Sequence, residues 1–150
     1  MSADLKLLKK LREETGVSIA DIRMALEETG NDEKKTIEWL KKHGIEKADK
    51  KAQRETSQGL VEAYVHQNGK IGAVVVLTCE TDFVARTEDF KHLAHELAMQ
   101  VAALNPKSVK DLTEQEYIRD ASVKISDLVK QTIAKLGENI TIAEIKRFEI

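Results

Sequence analysis

The hydrophobic pattern of the sequence changes its period at Gly59, and this change constrains the fold more than any other feature. Before Gly59, leucines and isoleucines recur every three or four residues, which is typical of helices. After it, residues 60–66 alternate as strands do, and Ala73 through Leu77 form an unbroken apolar run. Asn68-Gly69 lies between these segments and is a strong signal for a β-hairpin. The sequence therefore predicts a helical N-terminal part followed by a part built on a sheet.

Three short helices are predicted before Gly44. Ser18 provides an N-cap hydroxyl for the second helix, and Gly30 follows that helix where a left-handed backbone is favourable for glycine. Asn31 or Asp32 can cap the third helix, which we expect to end at Gly44. Helices of about ten residues with such short turns pack as a small bundle that is marginal alone. We therefore expect the three-helix bundle to serve as a docking module.

The middle of the chain predicts a connector and then two long helices. Residues 45–58 are almost wholly polar and predict an exposed connecting helix or a flexible tether. Thr87 begins a regular amphipathic pattern that stops at Asn105-Pro106. A capping box at Thr113 predicts the start of a further helix that continues to Gly137.

These elements predict an α+β fold. The C-terminal stretch NITIAEIKRFEI alternates again, so we expect a last strand that pairs with the hairpin. The result is a two-layer ββααβ core with a three-stranded antiparallel sheet, preceded by the bundle and a connecting helix. The predicted domains are residues 1–44, a three-helix module, residues 45–58, a polar connector, and residues 59–150, an α+β core and dimerisation domain. The run Ala73–Leu77 needs a cover on both faces, which helices and a second copy of the chain can supply.

The composition argues against several classes of partner. The 24 Lys and Arg residues nearly balance the 26 Asp and Glu residues, so the net charge is only -2. This balance is not typical of a nucleic-acid or membrane-surface binder, and 4% aromatics provide no stacking platform for single strands. No apolar stretch has the length of a signal peptide or a spanning helix. We therefore expect a cytoplasmic protein that binds neither membranes nor nucleic acid directly.

The residues that carry chemistry form no catalytic motif. The glycines occur singly, so neither a P-loop nor a dinucleotide-binding fingerprint is present. His92 and His95 are three residues apart on the polar side of a predicted helix, which is more typical of solvated histidines than of a zinc site. Cys79 closes a buried strand, where a small apolar residue fits. We expect no cofactor, no metal and no catalytic residue; a small enzyme that uses Cys79 or the histidines is the alternative.

The tripeptide Thr81-Asp82-Phe83 allows two interpretations. It follows the buried strand and precedes the amphipathic helix. In one interpretation, Thr81 or Asp82 caps a turn and Phe83 packs into the core. In the other, the three residues form a rigid tip whose ring enters a partner's pocket, because short loops held by a scaffold often carry function. The residues themselves leave both interpretations open.

Four stretches of the sequence, in order and covering nearly the whole chain, resemble the elongation factor Ts family. They are LKKLREETGVSIADIRMALEETGNDEKKTIEWLKKHG, ADKKAQRETSQGLV, ETDFVAR and GENITI. The first resembles the family's N-terminal module, which implies that the bundle is ubiquitin-associated-like. The third is the family's hallmark, and the fourth resembles its C-terminal signature. The set of four is specific, whereas the tripeptide TDF alone is not.

The resemblance implies a guanine-nucleotide exchange factor that acts by binding and is not an enzyme. Family members bind elongation factor Tu and promote release of GDP. Carried over to this sequence, Asp82 and Phe83 push between helices of the partner's G domain and disturb its magnesium and phosphate region. Thr81 presents this pair, and Val84 and Arg86 follow it.

The resemblance also implies a second contact and an oligomeric state. The N-terminal module grips the G domain, so that Val17, Ile19, Arg23 and Met24 face the partner; Val17 and Met24 fit the core of the module equally well. The chain has room for one core subdomain, and short members of the family pair as homodimers. A stand-alone interaction protein, whose bundle binds some other target, remains an alternative.

Overall fold

The N-terminal part of the chain forms the three predicted helices. The structure is a computed structural model that describes residues 2–150. The helices are α1 (Leu5–Thr15), α2 (Ile19–Thr29) and α3 (Glu33–Lys51). Side chains of Asp4, Ser18 and Asp32 cap their N-termini by accepting bonds from backbone N–H groups. Gly16 and Gly30 follow α1 and α2 in the left-handed conformation.

The third helix does not end at Gly44, so that prediction was wrong. Helix α3 continues unbroken to Lys51, and the first part of the predicted connector is therefore helical. Gly44 is buried, and a β-carbon built on it would lie 3.4 Å from the β-carbon of Ala134. This glycine marks a close approach between α3 and the core rather than a helix terminus.

The predicted α+β core is confirmed, with a three-stranded antiparallel sheet. Its elements, in chain order, are β1 (Gln58–Val65), β2 (Ile71–Cys79), α4 (Asp82–Ala85), α5 (Glu88–Leu104), α6 (Val109–Glu114), β3 (Glu116–Tyr117), β4 (Asp120–Lys124), α7 (Ile125–Leu136) and β5 (Ile140–Glu149). The strand order is β1-β2-β5, with β2 in the centre. Gly69 adopts the left-handed conformation in the turn between β1 and β2, as the Asn68-Gly69 signal predicts.

The sheet has one face covered by helices and one face open. Ala73, Val75, Leu77 and Cys79 of β2 are buried in the core cluster that α5 and α7 complete. The alternate residues of β2, which point to the opposite face, are only half-buried. A separate hydrophobic cluster holds the bundle together; its buried members are Leu8, Leu11, Ile22, Ala25, Leu26 and Leu40.

The prediction of one helix from Thr113 to Gly137 was wrong. Helix α6 ends at Glu114, and a two-stranded hairpin of β3 and β4 precedes α7. The buried side chain of Gln100 on α5 explains the difference. Its amide donates to the carbonyl of Glu116 at 2.9 Å and accepts from the N–H of Ile118 at 3.0 Å. These bonds hold the segment in an extended conformation, so a tertiary contact overrides the local helical pattern.

Across residues 2–150, no helix is both long enough and apolar enough to cross a membrane.

Candidate functional site

The Thr81-Asp82-Phe83 segment forms a single helical turn at the end of the central strand. Strand β2 ends at Cys79, and α4 begins two residues after Glu80. The hydroxyl of Thr81 caps α4 by accepting a hydrogen bond from the N–H of Val84 at 3.3 Å. The capping role that the sequence allowed for Thr81 is therefore confirmed.

Phe83 points away from the core. It is 77% exposed, whereas the next two residues, Val84 and Ala85, are buried in the core cluster. The interpretation in which Phe83 packs into the core was therefore wrong. Burial of Val84 and Ala85 fixes one side of the turn while the aromatic ring stays in solvent, which is unusual for a side chain of this size. We call residues 81–86 the tip.

The charged residues of the tip pair with each other. The guanidinium of Arg86 lies 3.1 Å from the carboxylate of Asp82, and both side chains are exposed. An exposed pair of this kind contributes little to stability, so both groups are free to exchange this contact for one with a partner. The tip thus presents an aromatic ring beside a carboxylate and a guanidinium.

A second segment of the chain, which sequence reasoning did not connect with the tip, holds it in place. The carboxylate of Glu138 accepts hydrogen bonds from the backbone N–H of Thr81 at 2.9 Å and from its hydroxyl at 2.7 Å. The next residue, Asn139, donates its N–H to the carboxylate of Glu80 at 2.7 Å. The sequence did single out GENITI, which contains Glu138 and Asn139, but no local pattern relates it to a loop 57 residues away.

The predicted residues of the bundle lie on and before α2. Ile19, Arg23 and Met24 are exposed, while Val17 is half-buried and packs against the bundle cluster. Within residues 2–150, no hydrogen bond or ion pair joins these four residues to the tip. The two parts of the predicted site are thus not joined by a direct polar contact.

The residues of the enzyme alternative are engaged in other contacts. The thiol of Cys79 is buried and donates to the carbonyl of Thr81 at 3.1 Å. Burial and the nearby carboxylate of Glu138 raise the pKa of this thiol above its ordinary value, which disfavours a reactive thiolate. His92 lies 3.8 Å from Glu96, whereas His95 contacts the ring of Tyr64 edge-on. In the described part of the chain, no three His, Cys, Asp or Glu side chains cluster as metal ligands would.

A cleft of about 440 Å³ separates the bundle from helices α5 and α7. Its three acidic side chains are paired, Asp21 with Lys47, Asp89 with Lys135 and Glu96 with Arg119. Asp21 pairs within the bundle side of the cleft and Asp89 within the core side, so both carboxylates are already engaged. The exposed tip is therefore the stronger candidate for a functional site.

Comparison with known proteins assigns the chain to a family. The model of the family described as elongation factor TS matches residues 80–150, the segment that contains the tip and the loop that holds it. The fold and the tip define a protein that presents an exposed aromatic ring from an α+β scaffold. Proteins called elongation factor Ts from Thermotoga petrophila and Oleidesulfovibrio alaskensis are each 40% identical to the chain. The first alignment covers 100% of this chain and 97% of the relative, and the second covers 96% of each.

The chain therefore belongs to the elongation factor Ts family of translation elongation factors, as its motifs predict. A relative of the same name from Rippkaea orientalis is 39% identical, over 95% of this chain and 76% of that protein. The alignment with the Thermotoga petrophila protein spans 193 positions, whereas this chain has 150 residues. At least 43 positions of that alignment thus have no counterpart here.

Proposed function

We propose that this chain is a guanine-nucleotide exchange factor that binds elongation factor Tu and promotes release of GDP. Membership of the elongation factor Ts family supports the choice of partner. The observation that carries the proposal is the 77% exposure of Phe83 on an anchored turn, because a ring held in solvent is available to a partner. In this proposal, the ring and the carboxylate of Asp82 enter the G domain and disturb its magnesium and phosphate site.

The proposed mechanism is a linkage between two binding equilibria. An exchange factor binds its nucleotide-free partner more tightly than the GDP-bound partner. By reciprocity, it weakens nucleotide binding by the same factor. No covalent step on the factor is required, so the proposal needs neither a catalytic residue nor a cofactor. Since the partner works in translation, the proposal places the chain in the cytoplasm.

We propose two roles for the remaining predicted residues of the interface. Thr81, Val84 and Arg86 present the ring and flank it. Ile19, Arg23 and Met24 form the second contact with elongation factor Tu; all three are exposed. Val17 supports this surface from the half-buried side of the bundle.

We further propose that the chain is a homodimer through the open face of its sheet. Val61 and Val65 of β1 are 67% and 66% exposed, and Phe148 of β5 is exposed on the same face, across β2 from them. The half-buried Val74 and Val76 of β2 lie between these strands. A contiguous apolar face of this kind is typical of an interaction surface. The division into residues 1–44, 45–58 and 59–150 remains a prediction: the first and last parts each contain a hydrophobic cluster, and Ala48 of the connector packs into the cluster of the last part.

Phe83→Ala tests the proposed mechanism. Central aromatic residues commonly contribute 2 kcal/mol or more to an interface, so we expect release of fluorescent GDP from elongation factor Tu to slow by about 30-fold. The melting temperature should stay the same, because the ring is exposed. Leu104→Ala is a matched control: Leu104 is also exposed, but it lies at the far end of α5, about 24 Å from the first turn of that helix. The proposal would be contradicted if Phe83→Ala released GDP at the wild-type rate, or if the variant were unfolded.

A further inference from the structure

The tip cannot hold its own conformation. Helix α4 has four residues, and a helix of this length is unstable in isolation because nucleation is unfavourable. Its buried residues, Val84 and Ala85, fix one side of the turn. The other side begins at Thr81, which is exposed and needs a partner of its own.

Glu138 supplies that partner with both oxygens of its carboxylate. Oε1 accepts from the backbone N–H of Thr81 at 2.9 Å, and Oε2 accepts from the hydroxyl at 2.7 Å. The same hydroxyl oxygen accepts from the N–H of Val84. Hydrogen bonds to an ionised carboxylate are about twice as strong as neutral ones. Within residues 2–150, Glu138 makes no ion pair, so its charge is directed at Thr81.

The loop that carries Glu138 is fixed on both sides. Gly137 ends α7 in the left-handed conformation, with its N–H bonded to the carbonyl of Ile133 at 2.8 Å. On the other side, the buried Asn139 donates its side-chain amide to the carbonyl of Arg54 at 2.8 Å. Glu138 therefore projects from a rigid platform rather than from a mobile loop.

We propose that Glu138 is the positioning residue of the tip: it fixes Thr81 so that α4 presents Phe83 and Asp82 in one orientation. Glu138 does this through Thr81 and without contacting the partner. The consequence for nucleotide exchange rests on the proposed function, whereas the consequence for the order of the tip does not.

Amide hydrogen exchange measured by NMR tests the order of the tip without any partner. Glu138→Ala should speed exchange of the Thr81 amide by about ten- to a hundredfold, since one charge-assisted bond is lost. Exchange of the Val84 amide should also become faster, while the Val75 amide in the centre of β2 stays protected. Glu138→Gln keeps one acceptor oxygen, so the exchange rate of its Thr81 amide should lie between those of the wild type and Glu138→Ala.

Glu144→Ala is the matched control for this measurement, because Glu144 is an exposed glutamate on β5 and should leave Thr81 unchanged. Equal protection of Thr81 in the wild type and in Glu138→Ala would overturn the proposal. Faster exchange at Val75 to the same extent would also overturn it, since the effect would then be global unfolding.

A double-mutant cycle tests the route by which Glu138 acts. Glu138→Ala should slow release of GDP from elongation factor Tu by about tenfold, but by less than about twofold when Phe83 is already alanine. Thr81→Val keeps the backbone N–H but loses the hydroxyl, so it should also slow release of GDP. Losses that multiply in the double variant would show that Glu138 acts independently of the ring, against the proposal. If Phe83→Ala leaves the rate unchanged, the proposed function fails, and amide exchange still decides whether Glu138 positions the tip.

Discussion

Glu96 shows how a single buried charge is accommodated in this fold. It lies on the core side of α5 and is only 3% exposed. Its Oε1 atom accepts a hydrogen bond from the hydroxyl of Tyr117 at 2.7 Å and pairs with Arg119, while His92 lies nearby. Burial raises the pKa of Glu96, but these hydrogen bonds and charges outweigh it, so the pKa is lowered. Burial and the bond to Glu96 also raise the pKa of Tyr117 to about 12.

Glu96→Gln should therefore destabilise the protein in a pH-dependent way. At pH 7 we expect a loss of about 1.5–3 kcal/mol, the range for a hydrogen bond to a charged group. The folded-state pKa lies below the ordinary value of 4.5, so the contribution of the charge is present above 4.5 and lost as the pH falls through the folded value. Urea unfolding of the wild type and of Glu96→Gln between pH 7 and pH 3 measures this change in the free energy of unfolding.

The control for this prediction is Glu88→Gln on the same helix. The side chain of Glu88 is almost fully exposed, so its loss should change the stability by less than about 0.5 kcal/mol at either pH. If the difference in unfolding free energy between wild type and Glu96→Gln grew towards acid pH, the predicted sign of the pH dependence would be wrong.

At the scale of elements, α3 carries the bundle onto the core. Gly44 lies in the middle of this helix, where glycine is usually unfavourable by about 1 kcal/mol relative to alanine. Its position opposite Ala134 of α7 accounts for it, because a small residue lets the two helices approach. Lys130 of α7 adds an ion pair to Asp49 of α3 at 3.0 Å. The packing of α3 on α7 therefore decides where the helix ends.

Larger side chains at Gly44 should distinguish packing from helix propensity. Gly44→Ala should leave the stability unchanged or raise it by up to about 1 kcal/mol, since its β-carbon meets Ala134 at an ordinary contact distance. Gly44→Val should lower the stability by about 1–3 kcal/mol, because it forces the helices apart. Lys42→Val at an exposed position of α3 controls for the helix propensity of valine. If chemical denaturation showed equal losses of stability for Lys42→Val and Gly44→Val, the packing argument would be contradicted.

At the scale of the whole molecule, the open face of the sheet carries the proposed dimer interface. Helices cover one face, and the other presents valines from two strands together with Phe148. The second face of an antiparallel sheet often faces solvent, but an apolar one can be buried by packing against another layer. In the proposed homodimer, a second copy supplies such a layer with the same surface, which is how two-fold symmetric interfaces form.

Val61→Lys should convert the proposed dimer to a monomer without unfolding the chain. The side chain of Val61 is 67% exposed within one chain, so lysine is tolerated there, whereas two lysines buried in a symmetric interface repel each other. Light scattering should give about twice the 16.8 kDa chain mass for the wild type and a single chain mass for the variant. Ala103→Lys, an exposed position on α5, is the control that should remain dimeric. A wild type that is already monomeric would disprove the dimer.

Sequence patterns were reliable where the cause of a structure is local. The cap of α2 at Ser18, the turn at Gly69 and the amphipathic α5 all depend on neighbours a few residues away. The alternation of β1 and the apolar run in β2 likewise predicted the antiparallel sheet. The family could also be recognised from its motifs, because those motifs retain the same order along the chain.

The tertiary structure decided what depends on distant residues. Gln100 turns a predicted helix into a hairpin, and the approach of Ala134 carries α3 past Gly44. The two interpretations of Phe83 differed in whether the core extends to this ring. No local sequence pattern shows where the core ends. Glu138 reaches Thr81 across 57 residues of chain. Periodicity and capping record interactions along the chain, whereas burial and long-range hydrogen bonds arise only when distant segments pack together.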